Sequence, residues 1–199
     1  MRLILASGSK NRQDIFKMVG LKYEVIKSDV EENSNEKDPS KYVMQLSKDK
    51  ANSVASKVYD GAVIIAADSI IYMDGKIFEK PKSKEEAYQN LKQMSGKTNY
   101  AITGITIKDL YQDKEISFAD ITEVHFREIT DEEIKWYVEN DKHILERCGY
   151  SIEGKASMFV DKIVGDYNTI VGISPSKLLS KLKELGYKIS DFEFKDYEV

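Results

Sequence analysis

The sequence predicts an α/β fold, a mixed β-sheet flanked by helices, on two observations. Short apolar runs bounded by turn residues alternate with stretches whose apolar positions recur every three or four residues, the pattern of strands separated by helices. Other strand-like runs follow one another across tight turns with no helix between them, so part of the sheet should be antiparallel. The 199 residues are 41% hydrophobic and 32% charged, enough for one sizeable core or two small lobes. No repeat, low-complexity tract or clear linker divides them.

Residues 2–6 read as a short buried strand. The turn Ala6-Ser7-Gly8-Ser9 follows, then a helix from about Ser9 with Ile15, Phe16 and Val19 on one face and Gly20 at its end. Residues 22–26 make a second strand, and "SDVEENSNEKD" after it is too polar for core and reads as a loop. Asp38 and Pro39 suit the N-cap and first position of a long helix, which presents Val43, Leu46, Val54, Ala55 and Val58 at helical spacing and carries Lys50. Residues 62–69, "AVIIAADS", are apolar up to a carboxylate, as in a strand buried on both faces whose end opens on a crevice. Asp74-Gly75 signals a hairpin turn. Ser83 with Glu86, and Thr130 with Glu133, read as capping boxes for two further helices. Residues 98–107 and 116–127 alternate like two long strands, and residues 149–174 are glycine-punctuated and strand-like. Ser174-Pro175 opens a last helix with Leu178, Leu179, Leu182 and Leu185 on one face. The chain should form a single domain over 1–199, with a peripheral tail from about residue 188.

Charge and cysteine content narrow the class of function. A net charge of −4 with a pI near 5.4 argues against a general nucleic-acid or anionic-membrane binder, which needs a broad basic face. A polyanionic ligand would have to be small and locally held. The lone Cys148 excludes an internal disulfide and fits a reducing compartment. The apolar run Leu3–Ala6 is too short for a signal peptide and no stretch approaches a membrane span, so a cytoplasmic protein is expected.

The polar groups that interrupt apolar elements are Ser7, Ser9, Arg12, Lys50, Asp68, Lys80 and Glu153. Two hydroxyls, a glycine and open backbone amides at the start of a helix, with Lys10 and Arg12 just inside it, make a natural seat for an anion. Most of these residues also suit ordinary roles: Ser9 as a helix cap, Arg12 and Lys50 as solvated helix positions, Lys80 as a loop charge. Asp68 stands apart, because a carboxylate directly after Ile64-Ile65-Ala66-Ala67 needs a cation, a metal or a crevice to face. His125 and His143 are too far apart in sequence to mark a local metal pair, and no Ser-His-Asp or Cys-His grouping is visible.

Taken together, "LASGSKNR" at 5–12, "KA" at 50–51, "AADS" at 66–69, "EKP" at 79–81, "SGKTNYAITGI" at 95–105, "TEV" at 122–124 and "GYSIEGKASMFVDKIVGDYNTIVGISP" at 149–175 resemble the Maf family of nucleoside triphosphate pyrophosphatases. The resemblance runs from residue 3 to about 185. It implies an elongated mixed α/β fold of the Maf/ITPase kind, with two lobes, a central cleft and often a homodimer. It further implies cleavage of a nucleoside triphosphate, dTTP or UTP, between the α and β phosphates, with a divalent cation, Mg²⁺ or Mn²⁺, as cofactor. Ser7, Ser9 and Arg12 match the triphosphate-binding turn, and Lys50 and Lys80 match the family's lysines. Asp68 matches the aspartate used as general base or, alternatively, as metal ligand. Glu31 or Glu32 matches an acidic position that joins Asp68 in the metal set. The chain departs from the family pattern with Gly8, Lys10 and Asn11 in place of a common Pro-Arg pair, Asn99 in place of histidine, and Ser69 in place of threonine. It also carries Glu153 where members active on thymidine and uridine triphosphates carry glutamine, which leaves Glu153 a base-reading role, a metal-binding role beside Asp68, or a position pointing away from the nucleotide. Competing expectations are a pyrophosphatase for modified or deaminated nucleotides, and a nucleotide-binding regulator of septum formation without turnover.

Overall fold

The computed structural model describes residues 1–31 and 33–195. Glu32, weighed above beside Glu31, and the last four residues of the tail lie outside the described residues. In chain order the elements are β1 (Leu3–Leu5), α1 (Lys10–Met18), β2 (Glu24–Val25), α2 (Pro39–Ala55), β3 (Val63–Met73), β4 (Lys76–Phe78), α3 (Lys84–Met94), β5 (Thr98–Asp109), β6 (Lys114–Phe126), α4 (Asp131–Asn140), β7 (Val160–Val164), α5 (Tyr167–Val171) and α6 (Pro175–Glu184). The sheet has seven strands in the order β2-β1-β3-β5-β6-β7, with β4 paired to β3. It is mixed as the sequence predicts: β1 runs parallel to β2 and β3, whereas β4 is antiparallel to β3 and β7 to β6.

Two compact units compose the chain. The first comprises Met1–Ser69, Thr103–Asp120 and the chain from Gly172 onward. Within it the spatial order β2-β1-β3 means that the chain leaves β1 towards one side and later returns to its other side. Right-handed crossovers then place α1 and α2 on opposite faces of β1 and β3. The core confirms this for α2, since Ile4, Ala6, Ala62, Ile64 and Ala66 cluster with its Ala51 and Val54. On β3 these are the even-numbered positions, which share one face. A close approach holds α2 on β5: a Cβ at Gly104 would lie 2.3 Å from the Val43 carbonyl oxygen, so only glycine fits there. Asp38 caps α2 by accepting from the Lys41 amide at 2.9 Å. Chain residues 193 and 195 hydrogen-bond to the backbone of Lys22 and Gly20, and Phe192 is buried.

The second unit comprises Ile70–Ile102 and Ile121–Val171. The β3–β4 turn is a tight hairpin in which Asp74 (φ 52°) and Gly75 (φ 80°) both adopt the left-handed conformation that such two-residue turns require. The Thr130 and Glu133 capping box forms in full at the start of α4. At α3 the box is displaced: Ser83 Oγ accepts from the Glu86 amide, but the Glu86 carboxylate takes the Lys82 amide, one residue before the cap. Tyr137 and Phe159 meet edge to face at 5.4 Å, and Tyr150 tilts over Phe126 at 4.8 Å.

Two sequence expectations are corrected. The apolar run does not end at Asp68, because β3 continues to Met73 and merges with the first arm of the hairpin. Residues 149–174 contain only one strand, Val160–Val164; the rest is 3-10 turn over Lys155–Phe159 and the short α5. Their glycines mark turns rather than strand interiors. Among the described residues, no helix is long and apolar enough to cross a membrane.

Candidate active site

The register of β1 against β3 locates the site in the first unit. β1 pairs with β3 from Leu3↔Val63 to Leu5↔Ile65 and then stops, while β3 runs on past it. The turn Ser7-Gly8-Ser9 therefore leaves at the carboxyl end of β1, beside the overhanging Asp68 and Ser69 of β3. In open parallel sheets this position, where the strand order reverses, is where the helices on opposite faces diverge and ligands bind.

Consecutive residues of a strand face opposite ways, so Asp68 and Ser69 serve different faces. Asp68 lies on the α2 side, where Lys50 Nζ donates to its Oδ1 at 2.5 Å. The residues are only 6% and 7% exposed, which makes this a buried ion pair. Ser69 lies on the α1 side and accepts from Arg12 Nη2 at 2.9 Å; its hydroxyl also meets Thr103 Oγ1 at 2.8 Å. The remaining Arg12 donors reach Ser7 Oγ at 3.3 Å and the Gly172 carbonyl at 3.1 Å. Ser7 Oγ in turn accepts from the Ser9 amide at 3.2 Å, which tightens the turn.

Neither Arg12 nor Lys50 is a solvated helix position. Arg12 is 9% exposed and its guanidinium ties α1, the β1 turn, β3 and the Gly172 carbonyl together, so the expectation that it stands outside the core is overturned. A planar fork of five donors suits such a junction. Ser9 occupies the N-cap of α1 but its side chain makes no capping bond, so the ordinary explanation for that serine is absent too. Lys10 is exposed beside it.

Glu31 lies exposed in the loop between β2 and α2. No group of three His, Cys, Asp or Glu side chains capable of holding a metal forms among the described residues. Among the described residues a protein-only cage is thus not built; carboxylate oxygens of the kind Asp68 and Glu31 carry suit a hard cation whose other ligands are phosphate and water oxygens. The histidines have local partners: His125 touches Thr98 and Glu123, and His143 touches Glu146.

In the second unit, Lys80 is exposed directly before the buried Pro81. Glu153 is exposed at the third position of a four-residue turn closed by the Gly154 amide on the Ser151 carbonyl at 3.1 Å. Sequence reasoning missed Thr103 and the Gly172 carbonyl as partners of the Arg12 cluster. Gly172 lies 160 residues from Arg12, and no local pattern announces the pairing.

A parallel β2-β1-β3 unit with a hydroxyl-bearing turn into a helix and a buried Lys–Asp pair at the strand ends defines an α/β protein. Its fold is similar to that of the Ham1 protein of Staphylococcus aureus, with a TM-score of 0.51 and 16% identity over 94% of this chain and 100% of that one. The chain belongs to the Maf-like protein family, whose profile matches residues 2–185. Among its relatives, the dTTP/UTP pyrophosphatase of Carboxydothermus hydrogenoformans is 40% identical over 187 residues, covering 94% of this chain and 100% of that protein. The dTTP/UTP pyrophosphatase of Alkaliphilus metalliredigens is 42% identical over 178 residues, covering 89% and 92%.

Proposed function

We propose that this chain is a nucleoside triphosphate pyrophosphatase, a hydrolase that cleaves dTTP and UTP to the monophosphate and pyrophosphate. The observation that carries the reading is the near-full-length match, at about 40% identity, to proteins named dTTP/UTP pyrophosphatase. The buried Lys50–Asp68 pair beside the Ser7–Ser9 turn supports it.

In this reading Ser7, Ser9 and the first amides of α1 take triphosphate oxygens, as helix N-termini do with phosphates. Arg12 adds its charge while Ser7, Ser69 and the Gly172 carbonyl hold its orientation. Asp68 directs a water at the α phosphorus: the carboxylate takes one proton, the water oxygen bonds to phosphorus, and the bond to the bridging oxygen breaks to release pyrophosphate. Lys50 holds that carboxylate in one orientation, and the Lys80 ammonium offsets charge gathering on the departing oxygens. Glu31 would help to hold Mg²⁺ or Mn²⁺, with phosphate and water oxygens supplying most of its ligands, and the cation when bound would neutralise phosphoryl charge; ligation by Asp68 is the alternative to its role as base. Glu153 is assigned to the base edge. We further propose that residues 1–199 act as one functional domain, in the cytoplasm, as a homodimer, with neither nucleic acid nor a membrane as partner.

The test is a panel of canonical, inosine and xanthosine triphosphates turned over in ¹⁸O-labelled water with Mg²⁺ or Mn²⁺. The expected products are pyrophosphate and a monophosphate carrying the label, with dTTP and UTP leading. Release of single phosphate, or label in pyrophosphate, overturns the proposed bond cleavage.

A further inference from the structure

The turn that presents Glu153 is anchored at its base by a buried polar network in the second unit. Tyr150 Oη donates to Asn99 Oδ1 at 2.8 Å, and Asn99 Nδ2 donates to the Val124 carbonyl of β6 at 3.2 Å. Asn99 is fully buried and Tyr150 only 7% exposed. One residue further on, the Ser151 amide donates to Tyr137 Oη at 3.2 Å, and Arg147 donates to the Ser151 hydroxyl. Tyr137 is itself fully buried on α4, and its carbonyl accepts from the backbone amide of Asp141, the residue that closes that helix, at 2.9 Å. Burial first, and Asp141 second, push the Tyr137 phenol well above its ordinary range, so it stays protonated while accepting from the Ser151 amide across the working pH range. Ser151 is also the first residue of the turn whose third residue is Glu153. An exposed side chain two residues from a residue held through both its amide and its hydroxyl has its backbone placed by that anchor.

We propose that Tyr137, Asn99 and Tyr150 are positioning residues for base selection, fixing the 151–154 turn so that Glu153 meets the base edge in one orientation. The inference rests on the proposed function's assignment of Glu153 to the base. A hydroxyl-to-ring change tests it with little loss of packing, because Tyr137→Phe keeps the edge-to-face contact with Phe159 and Tyr150→Phe keeps the contact with Phe126.

Binding of α,β-methylene triphosphates of each base is measured by calorimetry, which reads base ranking whether or not the protein cleaves nucleotides; inorganic triphosphate, which has no base, is the control. Each variant should compress the ratio of affinities between the best and worst base by about fivefold, the scale of one lost neutral hydrogen bond. Affinity for inorganic triphosphate should stay within about twofold. In a Glu153→Ala background the same changes should leave the ranking untouched, since positioning residues act through the group they position. A ranking that both folded variants preserve, or compression that persists without Glu153, overturns the inference, as does a wild-type chain with no base preference. If Tyr137→Phe fails to fold, Tyr150→Phe alone decides. A wild-type chain that ranks the bases yet cleaves none overturns the proposed reaction and leaves this inference standing.

Discussion

Lys50 and Asp68 are buried together, so removing one has a different consequence from removing both. Lys50→Met leaves Asp68 in the interior without its cation, and a loss of roughly 3–5 kcal/mol is expected in urea unfolding. The double variant Lys50→Met/Asp68→Asn should recover much of that loss while remaining inactive. Asp68→Asn alone should abolish turnover but keep nucleotide binding, because the amide retains the shape and cannot accept the proton; near-normal rates would remove Asp68 from the mechanism. Arg12→Ala deletes the bonds to Ser7, Ser69 and the Gly172 carbonyl from a residue that is 9% exposed. It should lower stability by about 1–3 kcal/mol, a fall of several degrees in Tm for a chain of this length, besides weakening nucleotide binding. Arg12→Lys should rescue little, since an ammonium is a point charge and cannot span three acceptors. Glu153→Gln adds a donor to an acceptor-only group, which suits the N–H and carbonyl edge of thymine or uracil. Its expected result is higher affinity for dTTP and UTP at unchanged metal demand; a raised metal requirement with the base ranking preserved would assign Glu153 to the cation instead.

The start of α4 carries the clearest local prediction among the elements. Thr130 and Glu133 close a reciprocal box, and Arg127 adds a bidentate bridge to the Glu133 carboxylate at 2.7 and 3.1 Å. Arg127, followed by the Thr130 amide, holds Glu133 down from its ordinary 4.5 to about 2. A depressed carboxylate contributes stability that is present above its unfolded value and disappears as pH falls through the folded one. The Tm difference between wild type and Glu133→Gln should therefore be constant above pH 4.5 and vanish towards pH 2. A difference that persists in acid would assign the effect to packing. Thr130→Ala should remove about 1 kcal/mol at neutral pH. Gly104→Ala belongs to the same scale, since its methyl would press into the Val43 carbonyl at 2.3 Å and force α2 off the sheet. Urea unfolding should register a loss of more than about 2 kcal/mol.

Across the whole molecule, the boundaries of local elements were legible because local residues set them. Asp38-Pro39 and Ser174-Pro175 begin helices, and Asp74-Gly75 makes the hairpin, since each acts on backbone within a few residues of itself. What misled was any feature decided by a distant partner. β3 outruns its apolar signal because the hairpin arm continues it, and the start of 149–174 leaves the strand pattern where the Tyr150 hydroxyl and the Ser151 amide bond to Asn99 of β5 and Tyr137 of α4. The C-terminal segment tests the same point: removal of residues 188–199 should lower Tm, because Phe192 is buried and the backbone at 193 and 195 bonds to Lys22 and Gly20. An unchanged Tm would make those contacts incidental. By itself the sequence determined the caps at Asp38, Thr130 and Ser174, the hairpin, the hydroxyl-rich turn after β1 and the Maf-like motif set, all of which are properties of neighbouring residues. Only the tertiary structure decided that Asp68 pairs with Lys50 while Ser69 meets Arg12 and Thr103, that Arg12 is a buried junction and that Tyr137 and Asn99 brace the Glu153 turn. Each of these depends on a hydrogen bond to a residue far away in the chain, and residue spacing carries no record of such a bond.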